Sequence, residues 1–341
     1  MLTGKEQGKK YTEQIFFELQ AMPVESRRII RLTFEYPGVK PTTIPCCLLK
    51  GDSASPRLWL EALIHGDEYD GALACLDFIN NLDLHDLHGT VLVFPVINPT
   101  AFFAYQHGSP YDGNINLNRV FFENDNTGYS WEYGRFLLEL AENLADFFID
   151  YHGGSKLNDI SRYCMVPNVG NEVDSYINDL ARKCGLQYIF CDHNDQNGNT
   201  GRLIVALAKK GIPGILLENG GGIAWDKDCV ERHVESVRYL MVETGFLKCG
   251  EHAPESGFYF EPEDYVYCEH DGLLLYHIPL GSSINKGDVC LKYMDVETGE
   301  IFEVTCPKDG CFVYCIHTAA VVRKGNFAMA YAKYPEGVMT P

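Results

Sequence analysis

From about residue 58 to residue 247, short β-rich apolar runs alternate with amphipathic stretches, which is how layered α/β structure reads. The runs 58–64, 90–97, 148–151, 188–191 and 214–217 predict strands. Between them, 72–82 places Leu73, Leu76 and Ile79 on one helical face, and 131–147 does the same with Phe136, Leu140, Leu144 and Phe147. A charged amphipathic helix over 226–244 closes the region, and 28–49 predicts antiparallel strands at an edge. After Gly250 helical periodicity stops and short strand-like runs separated by turns take over, which puts a boundary near 250–256. Two parts follow: an α/β region over 1–250 and a β-rich region over 251–341.

Within the tail, Ile284-Asn285-Lys286-Gly287-Asp288-Val289 is echoed by Val322-Arg323-Lys324-Gly325-Asn326-Phe327, and Lys324 stands 38 positions after Lys286. A duplicated hairpin half is the natural reading. The phrase resembles the biotinyl/lipoyl-like barrel, in which two such halves pack about a pseudo-twofold axis. A carrier of that kind needs a lysine at the tip between the halves, and the tip here, Met294 to Glu300, has none. A lid or an assembly surface, as in a homo-oligomer, suits the tail better than acyl-carrier chemistry.

Composition narrows the function. The 341 residues suffice for about two domains, and 46% hydrophobic with 22% charged residues is a globular balance, too apolar for a disordered chain. A net charge of −19 repels phosphate backbones and anionic membranes, so neither nucleic acid nor a membrane is an expected partner. No uncharged run approaches the roughly 20 residues of a membrane span. No basic start leads into an apolar core, and thirteen cysteines lie scattered without paired C-x-x-C spacing. The expectation is a reduced, cytoplasmic protein whose cysteines are mostly small core residues.

The chemistry gathers at strand ends. The first strand runs into His65-Gly66-Asp67-Glu68, an imidazole and a carboxylate three residues apart. Such a pair suits Zn²⁺, which in catalytic sites takes three protein ligands and keeps one open position. A third ligand from another strand end is supplied by Asp150-Tyr151-His152-Gly153-Gly154, where Asp150 is placed to orient an imidazole. Taken singly, each histidine reads equally as a hydrogen-bonded loop residue. Further along come Asn98-Pro99, Asn116-Leu117-Asn118-Arg119, and Gly211-Ile212-Pro213 leading to Glu218-Asn219-Gly220-Gly221.

With these five phrases in this order, over roughly 58–222, the chain resembles the succinylglutamate desuccinylase/aspartoacylase family of the zinc carboxypeptidase clan. The resemblance implies a mixed sheet flanked by helices, with one zinc per chain held by His65, Glu68 and His152. It makes Glu218 the general base that activates the attacking water, where otherwise it would read as a helix or strand-end acid. Asn118 and Arg119 match the pair that holds a substrate carboxylate, for which a guanidinium fork is suited; the plain alternative for Arg119 is a surface ion pair. Arg202 matches a position that faces the substrate's second polar group. Relatives carry an oxyanion-stabilising Arg in the stretch corresponding to 106–113, which here has none. His107 is the nearest donor, its alternative being an exposed loop histidine. Asn116 stands where an acid is usual. His193 reads as a solvated loop residue, and Gly220 to Gly222 as a flexible turn, not a phosphate cradle.

The activity this implies is removal of an acyl group from a small N-acylated amino acid or related amine. A carboxypeptidase acting on a peptide or cell-wall fragment is the alternative, and a catalytically silent zinc-binding homologue is disfavoured because the ligands and Glu218 are all present.

Overall fold

The computed structural model describes residues 2–191, 200–221, 225–254 and 257–333. A helix that apolar periodicity alone did not reveal opens it: α1 (Gly4–Ala21), started by a capping box in which Thr3 and Glu6 satisfy each other's backbone N–H groups. Its face bearing Ile15 and Leu19 packs on the sheet. Then comes the expected edge hairpin, β1 (Ser26–Phe34) with β2 (Thr42–Lys50), paired antiparallel throughout.

The alternating region builds β3 (Arg57–Ala62), α2 (Asp70–Asn81), β4 (Thr90–Phe94), the short α3 (Pro99–Phe103), α4 (Tyr129–Leu144), β5 (Phe147–His152), β6 (Asn158–Val166), α5 (Glu172–Ala181), β7 (Tyr188–Cys191), α6 (Leu203–Lys209), β8 (Gly214–Gly221) and α7 (Lys227–Glu243). The helix expected over 131–147 ends earlier. Ala145 turns to extended geometry after bonding back to Ala141, and Phe147 and Phe148 are drawn into β5, each buried on a different face of the sheet. The reading missed β6 and α5. Gly220 and Gly221 are not a flexible turn but the end of β8, paired with Ile160 and Asp159 of β6. Gly222 and His193 lie outside the described residues.

Strand order β1-β2-β4-β3-β5-β8-β6 carries a parallel centre, β4-β3-β5-β8, with antiparallel flanks. Every position of β4 and β5 is buried, as parallel strands covered on both faces require. One face packs against α1, α4 and α6 through Phe34, Trp59, Phe136 and Leu203; the other packs against α2, α5 and α7 through Leu60, Phe78, Ile149 and Leu240.

After residue 257 the chain is all β, as expected. Strands Cys311–His317, Phe327–Lys333 and Pro262–Tyr267 continue the large sheet beyond β6, while Ile301–Thr305, Val289–Met294, Gly272–His277 and Val321–Val322 form a second, four-stranded sheet. A separate core of Cys290, Leu291, Tyr293, Val313 and Tyr331 fills the tail. Phe260, Phe312 and Tyr314 join it to Tyr163 and Tyr188 through ring contacts. The two repeated phrases make the same turn: Asn285 N donates to Asp288 Oδ2 at 2.7 Å, and Arg323 N to Asn326 Oδ1 at 2.9 Å. Of the thirteen cysteines, all free, only Cys191 and Cys249 are not buried. Among the described residues no helix is long and apolar enough to cross a membrane.

Candidate active site

From β3 the chain goes to β4 on one side and then returns to β5 on the other. A crevice opens outside the carboxyl ends of strands where such a reversal occurs, and ligands of open α/β sheets bind there. The candidate residues meet at that place. Leu63, with φ at +62°, ends β3 in the left-handed region and sends the chain into the loop carrying His65 and Glu68. Gly66 lies so close to α3 that a Cβ would sit 2.2 Å from the Ala101 carbonyl carbon. Asn98 caps α3 and donates to the Ile64 carbonyl at 2.9 Å, which gives the Asn-Pro phrase a structural task.

Glu68 is the hub. Its Oε1 lies 2.8 Å from His65 Nδ1 and its Oε2 lies 2.9 Å from His152 Nδ1. All three side chains are buried. His152 Nε2 is 2.9 Å from Asp150 Oδ2, so the carboxylate behind it orients the ring as the spacing predicted. Burial raises the Glu68 carboxyl, but the imidazoles of His65 and His152 outweigh it and hold it well below the usual range. Burial likewise works against a charge on His152, and the Asp150 and Glu68 carboxylates more than reverse that, pushing its pKa well above the ordinary value.

His65 differs. Burial pushes it down to about 4, so it is neutral at pH 7. Its Nε2 lies 2.9 Å from Asn116 Oδ1, an oxygen that also receives Asn118 N–H at 2.8 Å, and its Nδ1 lies 2.8 Å from Glu68 Oε1. A neutral imidazole beside a buried carboxylate is the donor chemistry of zinc.

His107 is not an exposed loop residue. Its ring stacks on His65 at 3.6 Å between centroids, its Nδ1 is 3.2 Å from buried Asp67, and its Nε2 receives Asn116 Nδ2 at 3.3 Å. With His65 and Glu68 it forms a set whose ligand atoms all lie within 4.8 Å of one another, so the structure offers two candidates, His107 and His152, for a third donor.

Glu218 stands across from His152 in register on β8, buried, with Oε2 lacking a hydrogen-bond partner. Burial first, then the neighbouring Glu68 and Asp150 charges, lift its pKa to about 8 against the opposing pull of His152 and Arg202. Arg202 is the N-cap residue of α6, as its phrase suggested, and its charge reaches Glu218. Asn118 is buried, with Oδ1 accepting from Leu203 N–H and Nδ2 3.2 Å from His152 Nε2. Arg119 is exposed beside it, donating to the Asn118 carbonyl at 2.6 Å.

The sequence reading gave no structural task to Asp67, which holds His107; to Asn116, whose amide meets both His65 and His107; or to Glu61, a fully buried acid in β3. Asp67 and Asn116 sit inside quoted phrases, and Glu61 is the one acid in an otherwise apolar strand run, signals available to a closer reading.

Residues 54–243 match the succinylglutamate desuccinylase/aspartoacylase catalytic domain. The chain is 25% identical over 260 residues, 74% of each chain, to an N-alpha-acetyl-L-2,4-diaminobutyric acid deacetylase of Halomonas elongata. Its fold is that of the ectoine utilization protein EutE (DoeB) of Ruegeria pomeroyi in its product-bound form, at TM-score 0.79 and 21% identity over 92% of this chain and 98% of that one. A succinylglutamate desuccinylase from Silicibacter superposes with TM-score 0.78 at 20% identity, covering 92% and 97%. With the family's domain spanning more than half its length and its phrases converging on one crevice, the chain belongs to the succinylglutamate desuccinylase/aspartoacylase family.

Proposed function

We propose that the protein is a zinc-dependent deacylase that hydrolyses the amide bond of a small N-acyl amino acid or related N-acyl amine. The observation that carries the reading is the neutral His65 imidazole 2.8 Å from Glu68, with His152 on the other carboxylate oxygen and a buried, partly unpartnered Glu218 in register beside it. His65, Glu68 and His152 would hold one zinc per chain. When bound, zinc supplies Lewis acidity, polarising an amide carbonyl and making a water acidic enough to lose its proton near neutral pH.

The chain's own residues do the rest. A cation nearby brings the Glu218 carboxyl down from its raised pKa into the ionised form that a base requires. Glu218 takes the proton of the attacking water, the acyl carbon gains the hydroxyl, and as the carbon–nitrogen bond breaks Glu218 returns the proton to the leaving amine. His107, held at Nδ1 by Asp67, would donate from Nε2 to the oxygen that becomes negative once Asn116 Nδ2 gives up that nitrogen and it carries a proton. Asn118 and Arg119 hold the substrate carboxylate, and Arg202 meets its second polar group. The Halomonas protein named as a diaminobutyric acid deacetylase supports an acylated amino acid with a cationic amine portion, which the net charge of −19 tolerates better than a dianion.

We read residues 1–250 as the catalytic part and 251–341 as a β-rich part of biotinyl/lipoyl-like build, supported by its matched turns, and serving as a lid or an assembly surface for a homo-oligomer. The free cysteines support a reducing, cytoplasmic setting. The test is hydrolysis by zinc-loaded protein of N-acyl amino acids and N-acyl diamines against peptides with a free C-terminus. Faster turnover of the first group supports the deacylase; turnover confined to the peptides means a carboxypeptidase.

A further inference from the structure

The tail strand Cys311–His317 pairs antiparallel with β6, and β6 pairs antiparallel with β8, so the tail enters the sheet two strands from Glu218. Tyr163 of β6 is the register partner of Glu218 on the side away from His152. Cross-strand partners share a face, with Cβ atoms about 4.5–5.5 Å apart. The tail strand carries a bulge. Val313 and Cys315 pair with Tyr331 and Ala330, consecutive residues of the neighbouring strand, which leaves Tyr314 as the extra residue. Alternation breaks there: Tyr314 and Cys315 both turn to the face that bears Tyr163, while Val313 and Ile316 on either side pack into the tail's own core. The rings of Tyr314 and Tyr163 meet edge to face at 6.3 Å, and Phe260 backs both, 5.3 Å from Tyr163 and 5.2 Å from Tyr314. Tyr163 and Tyr314 are 5% and 4% exposed, as enclosed as His65 at 6% and Glu218 at 9%. Burial first, and the Glu218 charge after it, push up both the Tyr163 hydroxyl and the Cys315 thiol.

We infer that the tail supplies the wall on the amine side of the substrate pocket, and that Tyr314 is the residue of that wall that limits the length of the amine portion. The inference rests on the reading of Glu218 as the base. A group that returns a proton to the leaving nitrogen must come within about 2.6–3.2 Å of it. That nitrogen therefore sits at Glu218, with His152 on one side and Tyr163 on the other. The metal donors fill the first side, so what the nitrogen carries beyond its carboxylate extends toward the rings. Rings packed this closely cannot withdraw without emptying a core, and the wall is fixed. One methylene too many then meets it, a discrimination of about 10–200-fold in a closed apolar pocket. In this role the tail is a built-in side of the crevice, whatever its outer surface does.

The test is kcat/KM of the zinc-loaded full chain for Nα-acetyl diamino acids with two, three and four side-chain methylenes. The parent should lose about tenfold or more from the shortest to the longest. In Tyr314→Ala the longest should gain about tenfold or more relative to the shortest, with zinc still bound. Loosened packing alone would lower all three alike and leave their ratio unmoved. A folded Tyr314→Ala with the parental ratio, or a parent indifferent to length, overturns the proposal. Should Tyr314→Ala not fold, Cys315→Ala, which removes one sulfur from the same wall, decides. A relative gain of about threefold or more for the longest substrate upholds the wall there, and a parental ratio overturns it. Turnover confined to peptides would sink the deacylase reading alone. The leaving amine of a peptide is also an amino acid, and the same three residues at its C-terminus then read the wall.

Discussion

Glu218 and His152 face each other as register partners on neighbouring parallel strands, a carboxyl and an imidazole fixed by sheet hydrogen bonding and not by loop conformation. A base so placed would be rigid, its distance from the side chains of β5 set by the strand spacing of about 4.8 Å. Replacing Glu218 by Gln keeps the shape and removes the base. Turnover should fall by about 10²–10⁴ with zinc still bound. Near-parental turnover would mean that another group activates the water.

Metal analysis distinguishes the two candidate third donors. His65→Ala and His152→Ala should lose stoichiometric zinc, while His107→Ala should keep one per chain. Loss of zinc in His107→Ala with retention in His152→Ala would assign the third position to the stacked histidine.

His107 and Arg119 should fail in different ways. Loss of an oxyanion donor typically costs about 10²–10³ in kcat, so His107→Ala should act there and leave KM near the parental value. Arg119→Ala removes a clamp made in the ground state and should raise KM as well. An unchanged kcat in His107→Ala would leave its stacking on His65 as a purely structural contact.

His233, on α7 behind the site, should make the fold acid-sensitive. It is buried, its ring lies 4.7 Å from that of Tyr151, and burial pushes its pKa down to about 3. The native state therefore holds it neutral while the unfolded chain protonates it near the ordinary value of about 6.5. Stability from this group is intact above that value and is lost as pH falls toward 3, an effect on the order of 3–5 kcal/mol. Urea unfolding of His233→Gln between pH 7.5 and 4 should show a shallower decline than the parent. Parallel curves would mean that the imidazole takes up its proton in the folded state too.

The sequence by itself determined the parts that depend on local pattern. Short apolar runs located the parallel strands, and period-3.6 spacing the helices α2, α4 and α7, because a strand covered on both faces is apolar throughout while a helix covered on one face repeats its apolar residues with the turn. The strand-end phrases singled out His65, Glu68, His152 and Glu218, residue types that carry metal and acid–base chemistry, which the fold brings together. α1 escaped because its apolar face is thin and its polar residues are many, and β6 because its first half is only partly buried. Tertiary structure alone decided the rest. Which oxygen of Glu68 meets which imidazole, that Asn116 meets both His65 and His107, that Asp67 holds His107, and that Glu61 lies beside Asp150 all depend on register between strands and on close approach of loops far apart in the chain. The tail's joining of the large sheet through β6 is of the same kind. Such pairings arise from backbone hydrogen bonds between distant segments, and a backbone N–H or C=O carries no mark in the sequence of the partner it will find.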